Sequence, residues 1–190
     1  MRISKTRLPV DLRRRIHEVF WPSSALKEWL SVLEASFVVF RVAPYYNNFG
    51  KRFVKSPKVY FTDVGLAAHL LDLSSAEQVS RDPLLGGLFE NMVMAEALKA
   101  RYNAGRDGRI YYMRDKVGCE IDLVVENQRR LTFIEIKSAQ TPNDSMAANI
   151  RVLRKTTGAG EKAYVVYSGE SWPLRDGDGF VNFRETATLV

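Results

Sequence analysis

The sequence predicts a mixed α/β protein built from a basic N-terminal module of helices and paired strands and a larger unit of order αβββαβ. Three observations carry this expectation. Apolar residues at helical spacing (Leu26, Trp29, Leu30, Leu33) give way to the β-branched and aromatic run Ser36 to Val42. Further on, one long helical segment precedes three strand-like runs, the last two alternating with period two. The charge is also divided: the 190 residues carry +6 in all, but residues 1–60 hold twelve Lys/Arg against four Asp/Glu, a balance of +8, leaving −2 for the rest.

Taken in order, residues 10–21 and 24–35 read as helices, the second opened by Ser23 or Ser24 as N-cap. The strand run 36–42 follows. After the polar turn Asn47, Asn48, Phe49, Gly50 a second extended run comprises Phe53, Val54 and Val59 to Phe61. Two helices and a two-stranded basic ribbon have the order of a winged helix-turn-helix, with Lys51, Arg52, Lys55 and Lys58 on the wing, where charged side chains meet phosphates. A solvated basic face is the alternative reading of the same charges. A short helix, Val64 to Leu71, and the polar segment Asp72 to Asp82 make a junction. The expected division is therefore a winged-helix-like module over 1–71, a junction over 72–83, and a second domain over 84–190.

That second domain opens with a helix from Leu84 to Tyr102, stopped by Asn103, Ala104 and Gly105. Strands are expected over 109–113, 119–126 and 131–138. Pro142, Asn143 and Asp144 open a helix that runs to Lys155 and closes at Gly158 and Gly160, and strands at 163–167 and near 180–183 complete the chain.

Composition narrows the function classes. The chain is 46% hydrophobic and 26% charged, as in ordinary globular domains, and has nothing near the roughly 18 uninterrupted apolar residues of a membrane span. The N-terminus lacks the apolar core of a secretory signal, so a cytoplasmic protein without a membrane partner is expected. A single cysteine, Cys119, excludes an internal disulfide, and two histidines supply no Cys/His zinc set. Carboxylates are left to hold any metal. The basic N-terminal third points to an anionic partner, nucleic acid first.

The chemistry concentrates in Gly118 to Ser138. Glu120, Asp122 and Val124 alternate with Ile121, Leu123 and Val125 on one strand; Phe133, Glu135 and Lys137 alternate with Thr132, Ile134 and Ile136 on the next. An even-length hairpin loop centred between Gln128 and Arg129 sets Asp122 opposite Glu135 and Glu120 opposite Lys137. Two facing carboxylates repel unless a cation sits between them, and Mg²⁺ or Mn²⁺ suits oxygen ligands. Lys137 adds a cation for a phosphoryl oxygen. Glu90 projects over the apolar flank made by Val93, Met94 and Ala97 and is a candidate third ligand. The same alternation also fits a half-exposed hairpin with Glu120, Glu135 and Lys137 as a surface ion-pair network.

Glu90 on a first helix, Asp122 on one central strand and Glu135-Ile136-Lys137 on the next, in αβββαβ order, resemble the core of the PD-(D/E)XK nuclease superfamily. Longer segments, KSPKVYFTDVGLAAHLL (55–71), GGLFENMV (86–93), YYMRDKVGCEIDLVV (111–125) and FIEIKSAQT (133–141), resemble the C-terminal region of a family of prokaryotic AAA-type ATPases. There a P-loop ATPase domain precedes a winged helix and a C-terminal domain of unknown function with a nuclease-like fold. The resemblance implies a DNA-associated protein with metal ligands Glu90, Asp122 and Glu135 and Lys137 as catalytic lysine, using Mg²⁺ or Mn²⁺ to hydrolyse phosphodiester bonds. Its alternative is a non-catalytic module that binds DNA or a protein. No G-x-x-x-x-G-K-[ST] motif occurs, so the chain itself is not expected to hydrolyse ATP, and an ATPase becomes a candidate partner.

Overall fold

The computed structural model describes residues 23–45, 56–173 and 178–190. Its elements are helix α1 (Ser23–Ala35), strands β1 (Val39–Pro44) and β2 (Lys58–Phe61), helices α2 (Val64–Leu70), α3 (Ala76–Arg81) and α4 (Leu85–Asn103), then strands β3 (Ile110–Arg114), β4 (Glu120–Asn127) and β5 (Arg130–Lys137). A 3₁₀ turn (Asp144–Ala147) leads into α5 (Ala148–Thr157), followed by β6 (Lys162–Tyr167), β7 (Trp172–Pro173), β8 (Gly179–Asn182) and a closing 3₁₀ segment (Phe183–Leu189). The order α4-β3-β4-β5-α5-β6 is the αβββαβ order read from the sequence. The expected helix over 10–21, the turn Asn47 to Gly50, strand residues Phe53 and Val54, and the wing residues Lys51, Arg52 and Lys55 lie outside the described residues.

Seven strands form one mixed sheet, extended at an edge by two-residue β7, in the order β2-β1-β3-β4-β5-β6-β8-β7. The antiparallel pair β1–β2 joins β3 through parallel pairing of Ala43 with Tyr111 and Pro44 with Tyr112. Strands on either side of the 72–83 junction thus belong to one sheet. Phe40, Val42 and Tyr60 share a buried cluster with Phe89, Val93, Met94 and Ala97 of α4 and with Leu123, Val125, Ile134 and Ile136 on one sheet face. On the other face Ile150 and Leu153 of α5 pack with Ile121, Val124, Phe133 and Val165. Among the described residues no helix is long and apolar enough to cross a membrane.

Three local departures from expectation have clear causes. Helix α1 closes through backbone bonds from Ser36, Phe37 and Val38 to Val32, Glu34 and Leu33, with Phe37 in the left-handed region at φ 56°, so β1 begins at Val39 instead of residue 36. The polar junction contains helix α3, announced by the Ser75/Gln78 capping box. The final residues, after β8, continue as a 3₁₀ segment whose Asn182 side chain accepts from the Arg184 N–H.

Candidate functional site

Helix α4 holds the edge strand β2 by two successive residues. The Asn91 carboxamide donates to the Phe61 carbonyl and accepts from the Phe61 N–H, both at 2.8 Å, so it extends the ladder that the edge strand otherwise lacks. Its neighbour Glu90 receives the Tyr60 hydroxyl at 2.5 Å and the Lys58 ammonium at 2.8 Å. Lys58 and Tyr60 share a face of β2 by the two-residue period of a strand. That face looks into the molecule: Lys58 is a buried residue, not an exposed wing side chain. The phosphate contact expected of Lys58 gives way in this structure to ion pairs with Glu90, with Glu120 and, at 3.9 Å, with Asp122.

A bulge in β4 aims Asp122. Tyr111 and Met113 of β3 pair with Val124 and Ile121, so Asp122 and Leu123 together face the single residue Tyr112. Ile121 and Val124 consequently lie on the α5 face and Leu123 and Val125 on the α4 face. The β4–β5 ladder has the predicted register from Asn127/Arg130 up to Leu123/Ile134 and stops there. Where it stops, Asp122 Oδ2 accepts the Ile136 N–H at 2.9 Å, taking the place of a backbone acceptor. The Asp122 carboxylate therefore stands in the opening between the two central strands, with Lys58 on one side and Lys137 Nζ 4.0 Å away on the other.

Glu135 shares the strand face of Phe133, which packs on the α5 side. Only 2% exposed, it receives the Lys137 ammonium at 2.5 Å and the Asn149 carboxamide of α5 at 3.3 Å, both on Oε1. Its Oε2 is buried and has no hydrogen-bond partner among the described residues. Lys137 is 37% exposed and reaches the surface. Burial, with Glu90 and Glu135 close by, holds the Asp122 carboxyl well above the usual carboxylate range, and burial raises Glu135 against the pull of Lys137. Burial opposes the charge on Lys137, but Asp122 and Glu135 outweigh it and keep the ammonium protonated.

The expected ligand set needs one adjustment. Among the described residues the three carboxylates with ligand atoms within 4.8 Å of one another are Glu90, Glu120 and Asp122. Glu135 stands outside that group because it faces α5, whereas Glu90 approaches from α4. Glu120, expected opposite Lys137, instead pairs with Lys58 and with Arg114 at 3.4 Å, since the ladder has ended before it. Lys58 in this role, Glu120 as a cluster member and Asn149 are additions of the structure to the residues expected at the site. The period-two rule sets Glu120 beside Asp122, so the signal for Glu120 is present; Lys58 in this role and Asn149 carry none.

Residues 85–184 match the family described as "Domain of unknown function (DUF4143)", and residues 16–77 match a second, "Domain of unknown function (DUF8612)". Two curated mycobacterial proteins, "Uncharacterized protein Rv2008c" of Mycobacterium tuberculosis and "Uncharacterized protein Mb2031c" of Mycobacterium bovis, are each 32% identical over 153 residues, which is 79% of this chain. The chain spans about a third of the length of these relatives, 33% in each case. No solved structure gives a significant match.

Proposed function

For a chain that belongs to the DUF4143 family and gathers Asp122, Glu135 and Lys137 where two central strands part, we propose metal-dependent hydrolysis of phosphodiester bonds in DNA. The observation that carries this reading is the Glu135 carboxylate, buried with Oε2 unpartnered among the described residues and sharing Lys137 with Asp122. An orphaned carboxylate oxygen in the interior is costly, and a hard divalent cation relieves it. Asp122 and Glu135 would hold Mg²⁺ or Mn²⁺, with Glu90 and Glu120 contributing negative potential from the α4 side. When bound, such an ion lowers the pKa of water and neutralises phosphoryl oxygens.

The chain's own residues supply the rest. Asn149 and Lys137 fix the Glu135 carboxylate through Oε1 and leave Oε2 available. Lys137, charged and partly exposed, is placed to donate to a phosphoryl oxygen as negative charge builds on it. The basic N-terminal third, including Lys51, Arg52 and Lys55, supplies the phosphate affinity. The resemblance to PD-(D/E)XK nucleases at Glu90, Asp122, Glu135 and Lys137 supports the same chemistry, and the AAA-type resemblance implies an ATPase as partner. One observation favours the alternative of a non-catalytic binding module: Lys58 already neutralises part of the acidic cluster.

Cleavage of supercoiled, linear and single-stranded DNA, with Mg²⁺ or Mn²⁺ and with chelator, decides between them. The wild type should nick or cut only with metal. Lys137→Ala should still bind the ion by calorimetric titration yet lose at least about a hundredfold of the cleavage rate, the scale of one transition-state donor. DNA that is bound but left intact, by a protein with no specific divalent site, would leave the binding module standing.

A further inference from the structure

The carboxylates gathered by α4 and β4 already hold a cation, and the chain brings it itself. The Lys58 ammonium lies 2.8 Å from Glu90 Oε1, bonds to Glu120 Oε1 and stands 3.9 Å from Asp122 Oδ1. It also lies 5.2 Å from the centroid of the Tyr112 ring. Nothing about this placement is loose. Asn91 fixes the strand by its paired bonds to Phe61, and the Tyr60 hydroxyl fixes the Glu90 oxygen that Lys58 uses. Lys58 and Tyr60 fall within the DUF8612 match, whereas Glu90, Glu120 and Asp122 fall within the DUF4143 match. The cation and its ligands thus come from the two different regions of the chain.

Charge counting shows what the arrangement does. Glu90, Glu120, Asp122 and Glu135 stand against Lys58, Lys137 and Arg114, each basic group within 4.0 Å of at least one of those carboxylates. The balance is −1. One divalent ion takes the site to +1; a second would take it to +3, in surroundings where burial already penalises charge. Without Lys58 the balance is −2, and the second ion becomes tolerable.

We propose that Lys58 occupies the position of a second divalent ion, so that the folded chain holds a single ion, on Asp122 and Glu135, and its N-terminal region sets the cation count of the site. The identity of the first ion's ligands rests on the hydrolytic reading above. The ion gained when Lys58 is removed does not.

The test counts Mn²⁺ bound to the full chain, from the paramagnetic resonance signal of the free ion. Wild type should bind one, Lys58→Met two and Lys58→Arg one. Lys58→Met keeps the stem against Tyr112 while removing the charge; if it unfolds without metal, refolding as Mn²⁺ is added, followed by circular dichroism, is the expected signature. Should it stay unfolded, Lys58→Gln, which removes the charge but keeps N–H donors for Glu90 and Glu120, leaves the balance at −2 and should bind one ion more than wild type. Equal counts in wild type and in whichever neutral Lys58 variant folds would overturn the proposal. A wild type binding none would sink the hydrolytic reading, and a gain of one ion on removing Lys58 would even then uphold the role of Lys58.

Discussion

Asp122 does three jobs with one carboxylate: it terminates a strand ladder through the Ile136 N–H, and it faces one lysine on each side. Its folded-state pKa is raised, first by burial and then by Glu90 and Glu135, and Glu135 is raised by burial as well. The sign of the consequence follows from linkage. Across the window from the unfolded carboxyl pKa, about 4, up to the raised folded values, the folded state binds more protons than the unfolded one, so metal-free stability falls as pH rises. Asp122→Asn removes the larger source of that slope at nearly constant shape. We expect the metal-free variant at pH 8 to be more stable than wild type by on the order of 1–2 kcal/mol, with little difference below pH 4, and to lose the stabilisation that Mn²⁺ gives the wild type. Thermal melts across pH with and without Mn²⁺ check this; a variant less stable than wild type at pH 8 would mean that the two lysines favour the charge more than burial opposes it. Asp122, Glu135 and Lys137 are legible as neighbours in the sequence because period-two alternation and the hairpin register set them on adjoining strands. In the sequence Lys58 has the look of a wing residue, because its burial depends on Glu90, thirty-two positions away, and no local pattern encodes a long-range ion pair.

At the scale of elements, periodicity and turn chemistry were informative and their interruptions were not. Helix α4 ends at Asn103, where Gly105 takes φ 67° and the Arg106 N–H bonds back to Arg101, as the Asn-Ala-Gly sequence suggested. The β4–β5 register came out as derived, yet the bulge that turns Asp122 out of line has no glycine or other mark in the sequence and arises from the pairing with β3. The Ser75-x-x-Gln78 box was readable, but it heads a six-residue helix with no buried residue, so no apolar stripe accompanied it. The hairpin turn itself carries a cost. Gln128 and Arg129 both have positive φ, 50° and 67°, the conformation of a type I′ turn that an asparagine-glycine pair fills with least strain. The double substitution Gln128→Asn with Arg129→Gly should stabilise the protein by about 1 kcal/mol, a rise of roughly 2–4 °C in melting temperature for a chain of this size. Unfolding in urea gives the same quantity independently, and a loss of stability would show that the two native side chains contribute contacts worth more than the strain.

For the molecule as a whole, the expected two-part organisation meets a sheet that does not divide. The two family matches fall on either side of residues 78–84, close to the junction read from the sequence, while β1 and β2 pair into the larger sheet and give Phe40, Val42 and Tyr60 to its core. The sequence showed where the composition changes; it held no sign of the pairing of Ala43 and Pro44 with Tyr111 and Tyr112, which brings together strands about seventy residues apart. A physical test follows from that shared core. A fragment comprising 84–190 would expose the groove vacated by Phe40, Val42 and Tyr60, each worth about 1.5–3 kcal/mol when buried, and would leave Glu90, Glu120 and Asp122 without Lys58. The intact chain should therefore melt in one cooperative transition and the fragment at a markedly lower temperature, with Mn²⁺ raising the fragment's melting temperature more than that of the intact chain, because the ion enters where the ammonium is missing. Calorimetry on the two proteins, with and without Mn²⁺, measures both effects. A fragment as stable as the whole chain and no more responsive to Mn²⁺ would mean that β1 and β2 rest on the sheet without supporting it, and that the acidic cluster does not depend on the lysine they carry.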